Sequence, residues 1–158
     1  MKMIKDIRNR FGYHIANALS ARIGDPQLGD ATISPANYDR ILASMTGFAV
    51  GEALGVPLEG RSRNWITRNL GSVTDFVVPK PQTDTDTQLM LITADSVLAD
   101  FQDHPSQFAL RLREVSLNTH GVAVRKTQRN LIANKPWWTA ADPDSAGTSA
   151  AARSIAFG

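Results

Sequence analysis

The stretch Thr83-Asp84-Thr85-Asp86-Thr87-Gln88 sets two carboxylates and three hydroxyls directly before the apolar run Leu89-Met90-Leu91-Ile92. Such oxygens are the donors that Mg²⁺ or Mn²⁺ prefers. The same residue types also suit a helix start, because Thr and Asp are favoured caps and acidic groups complement the positive end of the helix. The residues alone leave both readings open. A second stretch, Asp144-Ser145-Ala146-Gly147-Thr148-Ser149, precedes another helical pattern. Small residues there would let backbone N–H groups approach a diphosphate, or would form an ordinary serine-rich cap. Glu52 and Glu59 are a third element: a carboxylate among apolar and glycine positions can act as a base or support a cation, although Glu52 taken by itself reads as solvated. Trp137 and Trp138 could stack on a base, or could pack at the rim of a core.

The periodicity that must position these groups is helical throughout. Ile4, Ile7, Phe11, Ile15, Ala18 and Leu19 predict an amphipathic helix over about residues 2–22, followed by a turn-rich linker. Tyr38, Ile41, Leu42, Met45, Phe48 and Ala49 predict a second over 38–54. Gly47, Gly51 and Gly55 repeat every four residues on it. Each glycine costs about 1 kcal/mol in a helix interior, so the stripe predicts close approach of another helix. Residues 56–83 are broken by proline and glycine, with a short helix expected near 64–70 and a possible strand at 76–78. Further helices are expected over 85–101, from Pro105 through Val115, over 122–133, and from Thr148 onward. The class is all-α. The chain divides into an N-terminal helix and linker, residues 1–36, and a helical domain, residues 37–158.

Composition narrows the chemistry. With no cysteine, thiolate sites are excluded, and with three scattered histidines zinc chemistry has little to work with, so any metal would be held mainly by oxygens. A net charge of +2 and basic clusters without interleaved aromatics predict solvated faces and no nucleic-acid partner. No apolar run reaches the roughly 20 residues of a membrane span, and charges interrupt the N-terminus where a secretory core would lie. No membrane partner and a cytoplasmic location are the resulting expectations.

Taken in order, the segments resemble one family. Gly47-Phe48-Ala49-Val50-Gly51-Glu52-Ala53-Leu54-Gly55-Val56-Pro57-Leu58-Glu59 resembles the opening G-x-x-x-G-D-A-L-G-x-P-x-E pattern of the ADP-ribosylglycohydrolases. Asp84-Thr85-Asp86-Thr87-Gln88-Leu89 is similar to their T-D-D-T-Q-L segment. Residues 121–131, Pro136-Trp137 and Ser145-Ala146-Gly147 through Arg153 resemble a later region ending S-A-G-N-G-A-A-M-R. The resemblance covers about residues 38–158. It implies an all-α fold, a binuclear Mg²⁺ or Mn²⁺ site, and cleavage of the bond between ADP-ribose and a modified group. Carried over, Asp84, Thr85 and Asp86 are metal ligands, and Glu59 and Asp86 catalytic groups. Ser145, Gly147, Thr148, Ser149 and Arg153 contact ADP-ribose.

The departures are specific. The family's Thr-Asp-Asp trio is Asp84, Thr85 and Asp86 here, Glu52 stands for its first Asp, and Thr148 and Ser149 replace Asn and Gly. No D-x-D-T segment follows downstream. Two readings result: a part of a hydrolase that needs a C-terminal half, or a non-catalytic module binding ADP-ribose-like ligands or a protein partner.

Overall fold

A computed structural model of the chain describes residues 35–117 and 121–157. The helix expected over residues 2–22 lies outside them. Seven helices follow in order: α1 Pro35–Gly55, α2 Arg63–Asn69, α3 Thr85–Ala99, α4 His104–Glu114, α5 Val122–Ile132, α6 Trp137–Ala140 and α7 Ser149–Ser154. Short 3-10 turns, Val56–Leu58 and Ile155–Phe157, extend α1 and α7. The protein is all-α. Among the described residues there is no strand, so the strand entertained at 76–78 is replaced by irregular chain.

Helix α3 is the axis of the packing because it is apolar on nearly every side. Its Met90 and Ala94 join Met45 and Ala49 of α1 in one buried cluster. Its Leu89 and Ile92 join Leu112 of α4, Leu131 of α5 and Ala140 of α6 in a second. Of the four polar side chains buried on α3, Thr93 and Ser96 return their hydroxyls to the turn below. Thr93 Oγ1 donates to the Leu89 carbonyl at 2.7 Å and Ser96 Oγ to that of Ile92 at 2.6 Å. Burial therefore leaves neither hydroxyl unpaired.

Local chemistry sets the other helix ends. Ser62 Oγ accepts the Trp65 N–H at 3.2 Å and starts α2. Pro105 occupies the first turn of α4, where its missing N–H costs nothing. Helix α5 closes on Asn134 with φ 60°, with Lys135 N–H donating to the Asn130 carbonyl and Asn134 N–H to that of Leu131. This is the Schellman pattern, which asparagine tolerates better than most residues. Gln128 Nε2 donates to the carbonyls of Leu112 and Val115, both at 2.7 Å, and ties α5 to the exit of α4.

The glycine stripe is a correction. Gly47, Gly51 and Gly55 are exposed, and a Cβ at any of them would meet no atom within 4 Å among the described residues. The packed face of α1 is carried by Met45, Ala49 and Ala53 instead. Residues two positions along a helix lie about 200° apart, so the stripe points away from α3. Helix length also bears on the membrane expectation. Over Asp39–Leu58, α1 is long and apolar enough to cross one by length and composition, with 17% of that stretch buried. The sequence expectation counted only unbroken apolar runs. Core helices of soluble proteins pass the same test.

Candidate functional site

The acidic stretch opens α3 as expected, but it does not cap itself. Asp84 takes the N-cap position, and its side chain bonds to no first-turn N–H. Its Oδ1 accepts the Thr85 hydroxyl at 3.2 Å. The cap is supplied across the packing by Glu52 of α1. Glu52 Oε1 accepts the Asp86 N–H at 2.9 Å, and Oε2 accepts the Thr87 N–H at 3.2 Å. One carboxylate thus satisfies two donors at the positive end of α3, where negative charge is favoured. The solvated reading of Glu52 is overturned, while the capping reading holds for position, with Asp84 at the N-cap and Asp86 in the first turn, but not for a side-chain cap bond from Asp84. Helix periodicity does not register this contact, because its donors are backbone N–H groups. The signal in the sequence was a lone carboxylate on an otherwise apolar and glycine-rich helix.

Asp86 sits where three segments meet. Burial pushes its carboxyl above the ordinary value of 3.8, the charges of Glu52 and then Asp84 push the same way, and a hydrogen bond from Thr148 opposes them. Thr148 is the N-cap of α7, from the serine-rich loop. The structure therefore brings together Asp84, Thr85, Asp86 and Thr148 of the expected site residues, and adds Glu52. Thr87 lies beside them with its hydroxyl buried and unpartnered among the described residues.

The remaining expected residues differ in their exposure and contacts. Glu59 is exposed just past the 3-10 turn, and it is not among the carboxylates whose charge reaches Asp86. Ser145 and Gly147 are exposed and Ser149 is half-buried on the loop leading into α7. A Cβ on Gly147 would meet only Ser145 Oγ at 3.7 Å, an ordinary contact. Arg153 turns inward, its guanidinium 4.0 Å over the Phe108 ring. Trp137 and Trp138 pack edge to face at 5.5 Å and are 42% and 69% exposed, so they do not serve as core packing here.

The oxygen donors at the head of α3 suit a hard cation in kind and fall short in number. Among the described residues no three acidic, histidine or cysteine side chains converge closely enough to hold a metal ion. The Glu52 oxygens are occupied by amides. Divalent cations take about six oxygens, and Asp84, Thr85 and Asp86 provide only an edge of such a shell.

Comparison with known proteins agrees with this grouping of segments. Residues 33–158 match the sequence model of the ADP-ribosylglycohydrolase family. An uncharacterized protein of Archaeoglobus fulgidus is 36% identical over 95 residues, which is 56% of this chain and 31% of that protein. The chain thus spans about a third of the curated relative it matches. No solved structure matches it.

Proposed function

The chain belongs to the ADP-ribosylglycohydrolase family, and on that premise we propose that it carries the ADP-ribose-recognition part of a site for hydrolysing ADP-ribosyl glycosidic bonds. The observation supporting this is the convergence on Asp86 of Glu52 from α1, Asp84 from the acidic stretch and Thr148 from the serine-rich loop. These are the three segments in which the sequence resembles the family, and they lie far apart in the chain.

In this reading Ser145, Gly147, Thr148 and Ser149 line the diphosphate side of the ligand, where a loop entering a helix offers N–H groups to an anion. Asp86 faces the ribose. Its raised carboxyl is the group best suited to carry a proton near the scissile bond. Hydrolysis then breaks the bond between ribose C1 and the leaving atom. Water adds its oxygen to C1, and its protons are shared between solvent and the leaving group. Asp86 takes the acid–base role ahead of Glu59, which stands away from the acidic centre. Mg²⁺ or Mn²⁺ is expected of the family, but Asp84, Thr85 and Asp86 do not enclose one by themselves, and no step is assigned to it.

A second reading has its own support: a helical module that binds ADP-ribose-like ligands, or a protein partner, without turnover. The short donor set favours it, as do exposed apolar side chains such as Phe101, Val122 and Trp138, at 68%, 75% and 69% exposure. Two measurements separate them: ADP-ribose binding by calorimetry, and release of free ADP-ribose from modified arginine and serine peptides with Mn²⁺ added. ADP-ribose binding weakened by Asp86→Asn, with or without turnover, supports the recognition part of a hydrolase site. Binding untouched by Asp86→Asn and without turnover supports the module. No binding of ADP-ribose at all removes both ligand readings.

A further inference from the structure

The cap that Glu52 provides reaches further than the helix it caps. Asp86 and Thr87 are the residues whose amides it holds. The side chain of Asp86, in turn, lies near enough to Thr148 for its hydroxyl to lower the carboxyl, and α3 packs along α7 there. Thr148 closes the first turn of α7, its carbonyl accepting the N–H groups of Ala151 and Ala152 at 2.9 and 3.2 Å. A chain of contacts therefore runs from α1, by hydrogen bonds to the first turn of α3, and by the packing of α3 on α7 to the loop that leads into α7.

We propose that Glu52 is a positioning residue for the serine-rich loop: its carboxylate fixes the first turn of α3, and Asp86 passes that fixed geometry to Thr148. The inference rests on the ADP-ribose reading above for its functional meaning, but the linkage itself exists without a ligand. Length matters to the arrangement. Each Glu52 oxygen engages a different amide, so the carboxylate must stand at the mouth of α3 and span two consecutive N–H groups. Aspartate, one methylene shorter, draws the carboxylate back toward α1 and loses at least one of them. Glutamine keeps the reach but offers one acceptor oxygen, and its amide nitrogen faces an N–H donor. Together with Glu52→Ala, which removes the carboxylate, these variants form a graded series. A merely packed side chain would not follow it, because Glu52→Gln preserves shape while Glu52→Asp preserves charge.

The test is nitrogen-15 NMR on the full 158-residue chain, read in three ways. Amide exchange at Asp86 and Thr87 should speed up about tenfold in Glu52→Ala, the change expected for a lost charge-assisted bond at a local opening site. Leu112 and Leu131 should exchange as before. In Glu52→Gln only one of the two amides should lose protection, and this variant decides the matter if Glu52→Ala does not fold. Without ligand, the Thr148 resonance should move in Glu52→Ala and in Asp86→Asn. Asp86→Asn should leave the Asp86 and Thr87 amides protected. Titrated ADP-ribose should then bind the Glu52→Ala chain about tenfold more weakly. Unchanged exchange at both amides, or a Thr148 resonance that does not respond to Glu52→Ala, overturns the proposal. Faster exchange with ADP-ribose affinity unchanged reduces Glu52 to a helix cap and also overturns it. A wild-type chain that ignores ADP-ribose overturns the functional reading instead, while the first two measurements still decide whether Glu52 governs the loop.

Discussion

Arg153 lies with its guanidinium 4.0 Å above the ring of Phe108, joining α7 to α4. Its Nε is buried without a hydrogen-bond partner among the described residues, and burial holds the guanidinium below its ordinary value. The aromatic face is what compensates the desolvated charge. A half-buried pair of this kind contributes about 1–2 kcal/mol. A double-mutant cycle with Phe108→Leu and Arg153→Met, measured by urea unfolding, should return a coupling of that size. Arg153→Lys should not restore it, since an ammonium cannot stack as a planar guanidinium does. Coupling near zero would mean that the two are only neighbours. Because the guanidinium is committed to Phe108, Arg153 variants should lose more stability than ADP-ribose affinity.

Asp86 makes stability depend on pH in an unusual direction. Its carboxyl is raised above 3.8, first by burial, then by Glu52 and Asp84. In the interval between the unfolded and folded values, the folded chain binds more protons than the unfolded one. Its contribution is therefore fully present below the unfolded value and is lost as pH rises through the folded value. Urea unfolding at roughly pH 4 and pH 7 should show this fall in the wild type and a smaller one in Asp86→Asn. Asp86→Asn should be the more stable chain at the higher pH. An equal fall in both would place the slope on another group.

Much of the fold was legible because local chemistry decides it. The spacing of Phe108, Leu112 and Val115, together with Pro105, marked α4, and Leu89 to Ile92 announced a buried α3. What escaped notice were contacts without a sequence period. Glu52 binds backbone amides 34 and 35 residues away, and no side-chain pattern records a backbone donor. The four-residue α6 is too short to show a period, and it is held by Asn130 Nδ2 donating to the Ala140 carbonyl at 2.8 Å. The glycine stripe misled for a different reason. Glycine spacing marks a face on which backbones can approach, but which face is buried was decided by Met45, Ala49 and Ala53. In the candidate site, residue type singles out the Asp84-Thr85-Asp86 stretch, whereas its nearness to Thr148 follows only from the packing of α7 on α3.

Glycines on this chain should respond to alanine in opposite ways. Gly51 lies inside α1 and is exposed, with room for a Cβ. Gly51→Ala should stabilise the chain by about 0.5–1 kcal/mol, from helix propensity and reduced unfolded-state entropy. Gly60 has φ 72°. Gly60→Ala should cost roughly 1–2 kcal/mol, because a Cβ disfavours the left-handed region. Thermal melts of the two variants are the check. A lower midpoint for Gly51→Ala would reveal a partner against the stripe.

The chain of 158 residues should bind Mn²⁺ weakly and release no ADP-ribose from modified peptides. The ground is a count of oxygens at the head of α3. Asp84 has one oxygen engaged by the Thr85 hydroxyl, and both Glu52 oxygens hold amides. Asp86 is flanked by two like charges, which would favour a cation, but Glu59 is not drawn in beside it. That leaves a few protein oxygens where two divalent ions would want about six donors each. Water can complete a shell, but a site made mostly of water orients a substrate poorly, and orientation carries much of the barrier lowering in such reactions. Calorimetry should give a dissociation constant of about 0.1 mM or weaker, the range of open, weakly charged oxygen sites. Asp86→Asn should weaken it further, and Glu59→Gln should leave it unchanged. Tight Mn²⁺ binding, or turnover abolished by Asp86→Asn, would show that the donors present are sufficient, by rearrangement on binding or by sharing between two copies of the chain. Sedimentation with and without Mn²⁺ separates those two routes, since sharing alone would raise the mass.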